Sequence, residues 1–107
     1  MLTCIIRYHI DPTKQAAFAD YAETWHEAIP RNGADLVGYY LPHEGSSTLA
    51  YGIYNIDSLA AYETYRARLA ADPLGRKNYA FAQRERFILR EDRTWLKRAR
   101  DPKKGPQ

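Results

Sequence analysis

Cysteine is almost missing from this chain of 107 residues, with Cys4 its one copy. A lone cysteine admits no disulfide framework and no multi-cysteine metal site within one chain, and it suits a reducing compartment. Histidine is scarce as well. His9, His26 and His43 carry neither H-E-x-x-H spacing nor a neighbouring cysteine cluster, so no bound metal is expected. There is no phosphate-binding glycine loop, no dinucleotide fingerprint and no nucleophile elbow, and no cofactor is expected. No apolar run is long enough to span a bilayer. The opening MLTCIIRYHI is broken by Arg7 and His9 and lacks a small-residue cleavage pattern, so the expectation is a cytoplasmic protein with no signal peptide.

A basic body is missing too, although the net charge of +3 and pI of about 9.1 suggest one. The segment from Lys97 to Gln107 holds Lys97, Arg98, Arg100, Lys103 and Lys104 against Asp101. Its net +4, taken from the total of +3, leaves −1 for residues 1–96. Nucleic acid is therefore not an expected partner. The charge distribution divides the chain into one domain over residues 1–96 and a basic, flexible tail over 97–107 without apolar partners.

Periodic apolar and aromatic pattern is abundant. Leu2, Cys4, Ile6, Tyr8 and Ile10 alternate with Thr3, Ile5, Arg7 and His9, the period of a strand. Asp11-Pro12 reads as a helix start, and Phe18, Tyr21, Ala22, Trp25 and Ile29 define the buried face of that helix, with Pro30 and Gly33 ending it. The stretch from Asp35 to Ile56 reads as two strands around a polar turn, Pro42 to Ser47. Both faces of this hairpin carry apolar groups. Asp57 can cap a second helix with Leu59, Tyr62, Arg66 and Leu69 on one side, broken at Asp72-Pro73 and restarted through about Arg84. Arg86 to Leu96, with Phe87, Ile88, Leu89 and Trp95, reads as the last strand.

The order is βαββαβ, which predicts an α+β, ferredoxin-like antiparallel sheet with helices on one face. Two helices cover one face only, and leaving the hairpin's other apolar groups in water forgoes roughly 1.5–3 kcal/mol each. A homodimer stacked through the sheet face removes that cost.

Leu36-Val37-Gly38-Tyr39-Tyr40, a short polar turn, Tyr54-Asn55-Ile56-Asp57-Ser58-Leu59 and then Tyr65 to Pro73 resemble the NIPSNAP family over nearly the whole chain, Leu2 to about Leu96. The resemblance implies a dimeric α+β barrel. Animal relatives are associated with mitochondria and membrane traffic, while single-domain bacterial-type members have no settled activity, and no targeting segment carries the mitochondrial role over to this chain. Ile53-Tyr54 stands where the family commonly has a Leu-Trp pair, and Tyr62 where it often has arginine.

Nine tyrosines suit ring packing first, with core as the ordinary place for Tyr8, Tyr21, Tyr40 and Tyr62. They also suit a ligand cleft between helices and sheet. The candidate cleft residues are Tyr8, Trp25, His26, Tyr40, Tyr62 and Arg66, where Arg66 would anchor a carboxylate or phenolate on a small aromatic or acidic ligand. Glu23 is the better local partner for His26 than Glu27. Two functions stay open. One is a small-molecule-binding or interaction module without chemistry; the other is a cofactor-independent monooxygenase- or isomerase-like enzyme for an aromatic or polyketide-like substrate, using Trp25, His26 and tyrosine hydroxyls.

Overall fold

Strand β1, Leu2–Ile10, is rich in β-branched and aromatic side chains and shows the expected alternation: Cys4, Ile6, Tyr8 and Ile10 are buried under the helix layer. It lies inside the sheet. The computed structural model describes residues 1–100, and in it β1 pairs antiparallel with β3 (Leu49–Ile56) and with β4 (Ile88–Lys97). Strand β2 (Asp35–Tyr40) pairs with β3, giving the order β2-β3-β1-β4. Helices α1 (Gln15–Arg31), α2 (Leu59–Ala71) and α3 (Pro73–Glu85) complete a ferredoxin-like α+β fold.

The first helix keeps its expected stripe, since Phe18, Tyr21, Ala22, Trp25 and Ile29 are all buried, together with Ala28. Asp11 accepts hydrogen bonds from the Thr13 N–H at 2.9 Å and the Thr13 hydroxyl at 2.7 Å, but the turn it caps, Pro12–Lys14, is a short 3-10 turn before α1 begins. Pro30 does not end the helix. It sits within the last turn, where only Arg31 follows it in the helix, and the chain leaves at Asn32 and Gly33, the latter with φ of 109°.

The second helix is capped by Ser58 rather than Asp57, through Ser58 Oγ accepting from the Ala61 N–H at 3.0 Å. Its buried face is centred on Tyr65 and Leu69, with Ala61 and Tyr62 half-buried beside them. Leu59, expected on that face, is 55 % exposed. Arg66 therefore flanks the face instead of lying in it, and an arginine there costs nothing to solvate.

The break at Asp72-Pro73 is as expected, and Asp72 joins three segments. Its carboxylate accepts from the Leu74 N–H at 2.9 Å, from Arg31 Nε at 2.7 Å and from Asn32 Nδ2 at 2.7 Å, and Arg31 Nη2 adds an ion pair. These bonds hold the Asp72 carboxyl well below the usual carboxylate range. At the end of α3, Arg86 takes a left-handed conformation with φ of 54°, so β4 starts at Ile88 rather than at Arg86. Lys97 still pairs with Leu2, which carries the sheet one residue past the expected boundary. Residues 101–107, most of the expected basic tail, lie outside the described residues.

One irregularity in the hairpin matters for the site. Leu36 pairs with Tyr54 but Gly38 with Ile53, so Val37 is an extra residue in β2. The insertion swaps the parity of the rest of the strand. Tyr39 turns inward opposite Gly52, where an added Cβ would come within 2.7 Å of the Tyr39 ring, and Tyr40 turns outward opposite Tyr51.

Candidate functional site: an aromatic cleft

Between the sheet and the helices lies a cleft of about 410 Å³. Its sheet side is built from Ile6 and Tyr8 of β1, Tyr39 of β2, Tyr54 of β3, and Glu91 and Arg93 of β4. Its helix side is built from Tyr21, Trp25 and Ile29 of α1, Tyr62, Tyr65, Arg66 and Leu69 of α2, and Tyr79 of α3. A second groove of about 510 Å³ shares Tyr21, Tyr79 and Glu91 with it and continues over Ala82, Ile88 and Leu89.

Ring packing fixes most of this lining. Tyr8 meets Phe18 edge-on at 5.0 Å and its hydroxyl lies 2.9 Å from that of Tyr39. Trp25 is held between Tyr21 at 5.5 Å and Tyr79 at 5.1 Å, both edge-on. Its Nε1–H is buried and makes no hydrogen bond of ordinary length, with the Tyr21 hydroxyl as the acceptor it interacts with. On the other side Tyr62 meets Trp95 edge-on at 4.6 Å, and Tyr54 packs on Tyr65 at 5.5 Å.

Burial pushes the phenols of Tyr8, Tyr39, Tyr21, Tyr54 and Tyr65 well up from the ordinary tyrosine value, so these hydroxyls stay neutral donors and acceptors and supply no base near neutral pH. The charges come from two places. Arg93 Nη2 donates to Glu91 Oε1 at 3.1 Å, a pair that cancels itself. The Arg66 guanidinium lies over the Tyr62 ring at 5.7 Å, and no carboxylate pairs with it among the described residues.

Of the six residues expected in the cleft, Tyr8, Trp25, Tyr62 and Arg66 line it, while His26 and Tyr40 do not. His26 is on the exposed side of α1, its Nδ1 3.7 Å from Glu23 Oε2, the local partner expected for it. Successive helix positions are a quarter turn apart, so burying Trp25 sends His26 outward. Tyr40 is 51 % exposed because the Val37 insertion reverses the parity of β2 and brings Tyr39 in instead. The pattern reading also passes over Glu91 and Arg93. Their signal is present in the sequence: Glu91, Arg93 and Trp95 share one parity of β4, and a tryptophan facing the helices takes both charged neighbours to the same face.

Among the described residues no group of three His, Cys, Asp or Glu side chains is placed to hold a metal ion, and no helix is long and apolar enough to cross a membrane.

Fold and cleft together define a ferredoxin-like α+β domain with an aromatic pocket under its helices. The chain belongs to the NIPSNAP family, whose model matches residues 3–101. A NIPSNAP family protein of unknown function from Agrobacterium tumefaciens is 25% identical, with a TM-score of 0.81, covering 95% of this chain and 92% of that one. An uncharacterised NIPSNAP domain protein from Burkholderia xenovorans is 24% identical, with a TM-score of 0.73 and coverage of 92% and 95%. A Nitrosomonas europaea protein bearing the name putative antibiotic biosynthesis monooxygenase shares the fold alone, at 10% identity, a TM-score of 0.68 and coverage of 94% and 100%. No curated protein matches the chain.

Proposed function

We propose that this NIPSNAP family protein is a homodimeric, cytoplasmic small-molecule-binding module without chemistry of its own. The observation that carries the reading is the cleft itself: about 410 Å³, within the usual size of a ligand site, and walled by aromatic rings with a few polar groups. Its buried phenols stay neutral and its one lining carboxylate, Glu91, is paired with Arg93, which supports binding over catalysis. The enzyme alternative draws on His26 beside Trp25, and His26 lies outside the cleft. The dimer is supported by the outer face of the sheet, where Ile5 and Ile53 stand side by side and Val37, Tyr40 and Leu96 are exposed. A second copy of that face, related by a two-fold axis, presents the same apolar groups to it. The buried free thiol of Cys4 suits a reducing, cytoplasmic setting.

Native mass spectrometry of freshly purified protein tests both parts. A dimer carrying a small molecule is expected; a monomer at micromolar concentration would remove the dimer. Oxygen consumption with a panel of quinols and polyketide-like phenols should stay at the protein-free rate, and turnover would favour the enzyme.

A further inference from the structure

We infer that the cleft and the groove beside it together take an aliphatic carboxylic acid, its carboxylate at Arg66 and the Tyr65 hydroxyl and its hydrocarbon chain over Ala82, Ile88 and Leu89. This rests on the cleft being a ligand site and names the chemistry of the molecule that fills it. The two cavities adjoin. Tyr21, Tyr79 and Glu91 line both, and spaces of about 410 and 510 Å³ leave room for a chain of ten carbons.

What each cation already has selects the charged end. Arg93 donates to Glu91 at 3.1 Å, and Arg86 stands at the C-cap of α3, where the helix dipole draws a positive charge. Arg66 makes no ion pair among the described residues and holds its planar fork of donors over the Tyr62 ring. Its neighbour Tyr65 is 4 % exposed and lines the same cleft. The Tyr65 hydroxyl has no hydrogen-bond partner among the described residues yet keeps accessible surface, and burial keeps it a neutral donor. A donor on so buried a side chain calls for an acceptor, and a carboxylate has oxygens for it and for Arg66 together. Leu89 selects the other end. It is a large apolar side chain left 64 % exposed at the groove that Ala82 and Ile88 also line, and a methylene chain laid there takes that surface out of water.

Calorimetry on the full chain with hexanoate, octanoate, decanoate and 1-octanol tests this. Affinity should rise about two- to four-fold per added methylene from hexanoate to decanoate, and octanoate should bind about ten-fold better than 1-octanol. Arg66→Gln should erase the gap between octanoate and 1-octanol. Tyr65→Phe, which keeps the ring and removes the hydroxyl, should weaken octanoate about five-fold. Leu89→Ser should shrink the step from octanoate to decanoate and leave hexanoate unchanged. Arg66 and Leu89 are both exposed, so those two variants keep the fold. Equal affinity for octanoate and 1-octanol, or none gained with chain length, would overturn the inference while leaving a ligand cleft in place. A chain-length gain that vanishes as protein concentration rises would give the second groove to another copy of the chain, and the inference would fall. Binding of none of the four would also overturn it, and the native mass spectrum of the purified protein would then decide on its own whether the cleft holds a ligand.

Discussion

Helices α1 and α2 hold equivalent places in the two halves of the chain, each lying over the sheet after one of its interior strands, yet α1 buries six side chains and α2 two. The difference lies in the residues themselves. In α1 large rings recur at helical spacing, Phe18, Tyr21 and Trp25, and they lock into Tyr8 and Phe87. In α2 the inward face is Tyr65 and Leu69, and its flank is Tyr62 and Arg66, which border the cleft. One helix closes the core and the other leaves it accessible. Close ring packing and the exposed lip of the cleft thereby fall on different helices of the same layer, so the mouth of the cleft can carry charge without a cost to the fold.

The largest effect expected from this asymmetry is on the α1 side. Phe18 is fully buried and touches the rings of Tyr8, Tyr21, Tyr39 and Phe87. Phe18→Ala should lose about 3–5 kcal/mol in urea denaturation. Tyr62→Ala on α2, which gives up its stacking on Trp95, should lose only about 1–2 kcal/mol. Equal losses would erase the distinction between the helices.

A smaller effect probes how tightly the closed side is built. Gly52 lies under the Tyr39 ring, and the methyl of Gly52→Ala would sit 2.7 Å from Tyr39 Cζ. The ring must move and give up its hydroxyl contact with Tyr8, so a loss of about 1–3 kcal/mol is expected, with shifted tyrosine resonances in the NMR spectrum. Unchanged stability would mean that this side is looser than its packing implies.

The same asymmetry explains how much of the molecule is legible in its sequence. The element order, the α1 stripe and the Asp72-Pro73 break arise from local rules of period and capping, and those are properties of short segments. The placement of Tyr39 and Tyr40 is not local, because one extra residue at Val37 reverses which faces inward, and only the pairing with β3 reveals it. Helical spacing alone sets Arg66 in the middle of a stripe with Leu59, yet α2 turns Tyr65 to the sheet and Leu59 to solvent. With so few large apolar side chains, α2 has no single preferred face in its pattern. Glu91 and Arg93 are legible through their parity with Trp95, but a strand is read by its apolar residues, and charge on the inward face becomes meaningful only once a cleft is there to receive it.

Asp72 ties the two helices together, and its contribution should depend on pH. Arg31, Asn32 and the Leu74 N–H lower its folded pKa below the unfolded value of about 4. A depressed carboxyl adds stability above the unfolded pKa and loses it as pH falls through the folded one. Asp72→Asn keeps a capping side chain but removes the charge, so its melting temperature should lie below wild type at pH 7, with the gap narrowing as pH drops below about 4. Parallel curves down to acid pH would show that the charge does not link the helices.

The smallest effect is expected at Arg66. The residue is exposed, it pairs with no carboxylate among the described residues, and its one ring contact is the stacking on Tyr62. Arg66→Met retains most of the side-chain volume over that ring and removes only the cation–π attraction, worth about 0.5–1 kcal/mol at an exposed site. The net loss in unfolding free energy should therefore stay below about 1 kcal/mol. Arg31→Met, at the other end of the helix layer, should be clearly destabilising because it strips Asp72 of its ion pair. A loss at Arg66 as large as that at Arg31 would make the cleft mouth part of the framework that holds the fold, and the division of labour between α1 and α2 would not stand.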